Sequence, residues 1–140
     1  MGRVVSPNSA GKQRTQLVRI TAIAISELLV KSTLDLEARD LAAFISFTLE
    51  AINSSIEPTI QAWEKRGYWV KADRFRYEWG WTDLLGKEMS RALFSDDWVE
   101  INSIAGKVQK RLAGEKISAI HRQGTPWVGA WDKLQANKHS

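Results

Sequence analysis

The residues able to do acid–base, nucleophilic or metal chemistry are few in this 140-residue chain and stand far apart. There is no cysteine, which excludes disulfides, thiolate metal sites and a thiol nucleophile. His121 lies beside Arg122 in a basic stretch, and His139 lies in the tail. No histidine or carboxylate pair has metal-ligand spacing, and no serine has the G-x-S-x-G context of a hydrolase elbow. We therefore assign no catalytic residue, no metal site and no cofactor.

Two further groups resemble chemical motifs but have simpler explanations. Asp96 and Asp97 are adjacent, so their carboxylates diverge on a helix, and the signature with Ser95 predicts a capped helix N-terminus instead. The pair Gly11-Lys12 lacks the upstream glycine of a phosphate-binding loop. A small enzyme with a site assembled from distant residues stays as one alternative.

The charge of the chain is divided into blocks, which indicates either helices that dock on one another with complementary signs or basic ends that contact an anionic partner. The formal net charge is +4 with an isoelectric point near 9.5. Residues 1–34 carry five cations against one acid, residues 35–60 one against five, and residues 101–140 seven against two. Clustered cations attract phosphates and release counterions. The candidate nucleic-acid contacts are Arg3, Lys12, Arg14, Arg19, Lys107, Lys110, Arg111 and Arg122.

Residues 63–81 interleave tryptophans with cations in the sequence WEKRGYWVKADRFRYEWGW. Helical spacing places Trp63, Val70, Tyr77 and Trp81 on one face. The opposite face then holds Tyr68, Ala72, Phe75 and Trp79. Two opposed apolar stripes predict a helix covered on both sides, by other helices of the chain, by another subunit or by a ligand.

Seven tryptophans also favour a protein-interaction surface, since Trp, Tyr and Arg dominate interface energies. The candidate partner-binding residues are Trp69, Trp79, Trp127 and Trp131. The pair Thr125-Pro126 is typical of a helix start. The short helix that follows would dock Trp127 and Trp131 onto the core of the domain or onto a partner.

The elements that position these residues are predicted to be helices throughout. Apolar residues recur at three- and four-residue spacing in segments near 13–31, 36–56, 58–79 and 82–94, then in a fifth segment from the signature at Ser95 to about 113, followed by a short last helix. The fold class is therefore all-α, a single-domain bundle of five to six helices with a central aromatic-rich third helix. Residues 1–12 are a polar basic lead-in and residues 13–140 the helical domain. Residues 115–120 are the only weak strand candidate.

These patterns favour a non-catalytic helical subunit or adaptor of a larger complex, such as a ribonucleoprotein, with a basic face for nucleic acid. The alternative is a protein–protein interaction module, homo- or hetero-oligomeric, with no nucleic-acid role. The start is polar and no secretory signal is recognised. The longest apolar run, 17–30, contains Arg19 and Glu27 and is too short to span a bilayer. We expect a cytoplasmic protein.

Overall fold

A computed structural model describes residues 7–113 and 124–138, and within these ranges the chain forms six α-helices and no strand. The helices are α1 (Pro7–Leu29), α2 (Leu36–Lys65), α3 (Trp69–Trp79), α4 (Trp81–Phe94), α5 (Trp98–Leu112) and α6 (Ala130–Lys138). The predicted all-α class and aromatic-rich third helix are confirmed. The weak strand candidate, 115–120, lies outside the described residues, as do Arg3, His121, Arg122 and His139.

Helices α1, α2, α4 and α5 form a four-helix bundle in which each packs against two of the others. Both α1 and α4 pack on α2 and on α5, so α1 and α4 occupy opposite corners. In addition, α2 contacts α3 and α6. The central position expected of the third helix therefore belongs to α2, the longest helix, whose 30 residues span about 45 Å.

The first two helices run antiparallel. In α1, the Arg14 guanidinium donates to the backbone oxygen of Ser55 at 3.3 Å, and the hydroxyl oxygens of Thr21 and Thr48 lie 2.7 Å apart. As residue numbers rise along α1, the numbers of the residues that they contact in α2 fall. The first helix begins at Pro7 rather than near residue 13, since proline is tolerated in a first turn. Part of the predicted lead-in is therefore helical.

The main core lies inside the four-helix bundle. Its largest fully buried side chains include Ile25, Leu28, Leu41, Ile45, Leu49, Ile52, Met89, Leu93, Ile101 and Ile104. The close approach of α4 to α2 depends on Gly86, because a Cβ there would lie 3.3 Å from the Cβ of Leu49. The Ser46 hydroxyl also donates to the Gly86 oxygen at 2.9 Å. An alanine at position 86 would require Leu49 or its helix to shift by a few tenths of an ångström.

The second helix continues through Pro58 to Lys65, so the predicted break or helix start at Pro58 is wrong. Proline in a helix interior normally costs about 3 kcal/mol. Buried Ile56 and Ile60 lie on either side of it along the chain and pack in a second, smaller core. Tertiary packing on both sides of the proline outweighs the local cost.

The chain reverses direction at Gly67, whose φ of +80° glycine adopts without strain. The third helix then folds back and meets α2 with one side only. Ala72 is its single fully buried residue. On the opposite side, Val70 and Tyr77 are 74% and 89% exposed. The expectation of a third helix covered on both sides is therefore wrong.

An ion-pair set fastens α3 to α2. The Arg76 guanidinium donates to the Glu64 carboxylate at 3.0 Å and to Asp73 at 3.0 Å. The hydrogen bond to Glu64 is the main cause of a raised pKa for Arg76. The positive charge of Arg76 is thus partly neutralised by these two carboxylates.

The N-terminus of α2 is capped by Asp35, whose carboxylate accepts from the Ala38 N–H at 2.8 Å. The Lys31 ammonium lies 2.8 Å from the same carboxylate. The hydrogen bond from Lys31, followed by the Ala38 N–H, lowers the pKa of Asp35, and the same pair raises the pKa of Lys31.

The turn between α4 and α5 is three residues long, which makes these helices antiparallel neighbours. Asp97 caps α5 by accepting from the Glu100 N–H at 3.1 Å. The predicted cap at Ser95 is wrong, because Ser95 ends α4. Asp96 has a φ of +54° and pairs with Arg39 of α2 at 2.6 Å.

The last helix lies on the outside of α2. It begins at Ala130, four residues after the predicted start at Pro126, because residues 126–129 form a turn that ends at Gly129 with φ +87°. The Trp131 N–H in its first turn donates to the buried Asp40 carboxylate at 3.0 Å. A carboxylate is stabilising at the positive end of a helix, so Asp40 anchors α6.

Candidate nucleic-acid and partner interfaces

The packing of α5 buries its apolar side and leaves its cations exposed to solvent. Ile101, Ile104 and Val108 are fully buried against α1 and α4. Helical spacing then turns Lys107 and Lys110 outward, and both are exposed. Among the described residues neither has an acidic partner, so two uncompensated charges lie one turn apart.

Arg111 extends this basic side of α5 toward the N-terminus of α4. Its guanidinium carbon lies 6.0 Å from the centroid of the half-buried Trp81 ring. This distance is at the outer limit of a cation–π contact, and Arg111 is exposed, so its guanidinium is accessible to an anion. We define Lys107, Lys110 and Arg111 as the α5 basic face, and the structure brings these three predicted residues together.

The predicted cations of α1 do not act alike. Lys12 and Arg19 are exposed, and Arg19 has a contact within the protein. Arg14 is turned inward, with its guanidinium carbon 4.8 Å from the Phe75 ring centroid and 5.7 Å from that of Trp79. Its role is to fasten α1 to α3, which corrects its assignment as a phosphate contact.

The two C-terminal tryptophans close the fold of the described chain. Trp127 is 2% exposed and packs edge-on against Phe44 with centroids 6.4 Å apart. Trp131 is half-buried, 5.1 Å from the ring of Phe94 and 5.8 Å from the guanidinium carbon of Arg39. Of the two outcomes left open, docking onto the domain's own core is the one observed. This corrects their assignment as partner-binding residues.

The other two predicted partner-binding residues, Trp79 and Trp69, differ in exposure. Trp79 is half-buried between Phe75, at 6.4 Å, and the cation of Arg14. Trp69 is 60% exposed at the start of α3. Only Trp69 keeps a ring available to a partner.

The structure exposes a surface that the candidate list did not contain. Tyr68, Val70 and Tyr77 are 53%, 74% and 89% exposed. A groove of about 730 Å³ at the start of α3 is lined by Gly67, Tyr68, Trp69, Val70, Lys71 and Arg74. The seven-residue spacing of Val70 and Tyr77 is visible in the sequence, but the two opposed apolar stripes predict that both lie on a covered face of the helix.

A second groove, of about 570 Å³, runs between α2, α4 and α6. Phe47, Phe94 and Leu134 supply its apolar wall. Lys87 at its edge is paired with Asp83 at 3.2 Å, and the Lys138 ammonium lies 3.9 Å from the Phe94 ring centroid. Its cations are therefore largely engaged in contacts within the protein.

No constellation for metal chemistry occurs in the part of the chain that the structure describes: no three histidine or carboxylate side chains there could hold an ion together. None of the described helices combines the length and apolar character needed to cross a bilayer. No protein-family model, curated protein or solved structure matches this chain.

Proposed function

We propose that this protein is a non-catalytic helical subunit that contacts the phosphates of a nucleic acid through the α5 basic face. The observation that supports this most is the exposure of Lys107 and Lys110 without an acidic partner among the described residues. Neutralising phosphates with such cations releases counterions, which gives sequence-independent affinity. Arg111, stacked on Trp81, adds a guanidinium that suits phosphate geometry.

The rigid support of these side chains strengthens the proposal. The buried side of α5 is fixed by the core, and its N-terminus is held by the Asp97 cap. The backbone that carries the three cations is therefore ordered before an anion binds, so that binding costs side-chain freedom only. We further propose that the protein works in the cytoplasm as one component of a larger assembly, for which a ribonucleoprotein is the natural class.

The main alternative is a protein-interaction module without a nucleic-acid role. It is favoured by a different observation, the exposed apolar side chains of α3, of which Tyr77 is the most exposed at 89%. Large exposed apolar patches mark interaction sites. The two roles use different helices, so one experiment on α5 can separate them.

The test is a triple variant, Lys107→Ala/Lys110→Ala/Arg111→Ala, measured against DNA and RNA oligonucleotides of several sequences. The matched control is Lys65→Ala/Arg66→Ala/Arg91→Ala, which removes the same charge from exposed positions elsewhere. The α5 variant should weaken binding on every sequence. The slope of log affinity against log salt should fall by about 2–3, since each lost phosphate contact contributes about 0.7–0.9.

The control variant should keep most of that slope, because it alters net charge without touching α5. Equal losses in both variants would mean that binding follows net charge alone and would refute the assignment to α5. Wild-type protein that binds no oligonucleotide at low salt would refute the nucleic-acid role and leave the interaction module.

A further inference from the structure

We call the third and fourth helices together, residues 69–94, the arm; part of its outer side is exposed among the described residues. Gly80 between them keeps helical angles, φ −62° and ψ −23°, and its N–H donates to the Arg76 oxygen at 2.8 Å. The backbone ladder is broken between the two helices, but the helical angles of Gly80 keep the side chains near helical spacing across the junction. Alternating steps of four and three residues place Val70, Arg74, Tyr77, Trp81 and Leu84 in one line. We call this line the outer seam.

The spacing of the outer seam is that of the a and d positions of a coiled coil. Val70, Tyr77 and Leu84, seven residues apart, are 74%, 89% and 58% exposed. Trp81 is half-buried beneath Arg111, and Arg74 is exposed. Three apolar side chains at seven-residue spacing, Val70, Tyr77 and Leu84, are therefore exposed and have no covering helix among the described residues.

The inner side of the same arm is already occupied. Ala72 is buried against α2, and Phe75 lies under the guanidinium of Arg14. Further along, Leu85 and Met89 belong to the main core. Apart from Trp81, which packs on the main core, the outer seam takes no part in either core of the described residues.

Charge along the arm changes sign from one half to the other. Residues 69–76 contain three cations and one acid, a net charge of +2. Residues 77–88 contain three acids and one cation, a net charge of −2. A parallel copy would place like charges together, whereas an antiparallel copy would place each half against its complement.

One pair of residues gives this complementarity a specific register. Arg74 and Glu78 are both exposed, and neither has an ion-pair partner among the described residues. In an antiparallel pair of arms that cross near Arg76, Arg74 of each copy faces Glu78 of the other. Such a twofold arrangement is isologous, so a single complementary pair is used twice.

We propose that a second copy of this chain docks antiparallel on the outer seam, to form a homodimer through α3 and the start of α4. The exposed apolar side chains supply the buried centre, and Arg74 with Glu78 sets the direction. Nucleic-acid binding by α5 is not required for this contact, so the two proposals can fail separately.

The test uses charge reversal, with mass measured by sedimentation equilibrium across a range of concentrations. Wild type should dimerise. Arg74→Glu alone and Glu78→Arg alone each create two like-charge pairs per dimer and should weaken it by at least about tenfold, in line with the several kcal/mol of like-charge contacts at interfaces. The double variant Arg74→Glu/Glu78→Arg restores both pairs and should dimerise again. An equimolar mixture of the two single variants should also dimerise, since each supplies what the other lacks.

A control reversal on another helix at an exposed position, Glu57→Lys in α2, should leave the dimer unchanged. Because Arg74 and Glu78 are both exposed, the variants should remain folded, which their helical circular dichroism would verify. A wild type that stays monomeric at every concentration would overturn the proposal. So would single variants that dimerise normally, or a double variant that fails to recover, since recovery requires the antiparallel direction.

Discussion

Truncating Trp127 should be among the most damaging single changes in this protein. The side chain is 2% exposed and packs between α2 and the start of α6. A buried tryptophan removes about 150–250 Å² from water, which at about 25 cal/mol per Å² corresponds to roughly 4–6 kcal/mol. Measured losses for such truncations are about 3–5 kcal/mol, because the site partly collapses. We expect Trp127→Ala to lose an amount in that range.

The assay is urea unfolding followed by circular dichroism, with Trp69→Ala as the matched control. The same atoms are removed there, but Trp69 is 60% exposed, so the loss should stay below about 2 kcal/mol. Trp127→Phe keeps a ring near Phe44 and should lose less than half as much as the alanine variant. A loss under about 1 kcal/mol for Trp127→Ala, or equal losses at the two tryptophans, would refute the assignment of Trp127 to the core.

The remaining predictions concern contacts between helices and one helix cap. Asp40→Ala removes the acceptor of the first-turn N–H of α6 and should lower the free energy of unfolding by about 1–3 kcal/mol in urea titrations. Arg14→Ala removes the cation stacked on α3 and should cost about 1–2 kcal/mol by the same assay, while Lys12→Ala on the same helix should cost almost nothing. Asp35 has a lowered pKa in the folded state, so its stabilisation is complete above its ordinary pKa near 4 and is lost as pH falls through the lowered value. Asp35→Asn can still cap α2 but does not titrate, so its stability should fall less steeply in acid; a profile identical to that of wild type would contradict this.

The sequence predicted most accurately the elements whose signals are local. In α5, the acidic start and the spacing of Ile101, Ile104 and Val108 define both the helix and the side it buries. The exposure of Lys107 and Lys110 then follows from geometry alone. Helix existence and the α5 basic face could therefore be read from spacing without knowledge of any other helix.

What the sequence did not predict depends on which partner each side chain meets. Trp69 and Trp127 have similar local signals, yet one is exposed and the other buried, because only Trp127 reaches α2. Arg14 has the same charge as Lys12 but lies on the rings of α3. Pro58 ended the predicted helix because the packing of Ile60 against α3 is a tertiary contact that no local pattern reveals.

The small second core has a consequence for the motions of the molecule. Ile56, Ile60 and Ala72 form a cluster separate from the main core, with Trp63 and Phe75 packed on it. Such a cluster can open as its own cooperative unit, at a lower free energy than global unfolding. Amide hydrogens of α3 should then exchange with solvent sooner than those at the centre of the bundle. Any ligand that settles on this end of the molecule is coupled to that local opening equilibrium, and its binding would slow the exchange of α3 amides while leaving those of α5 unchanged.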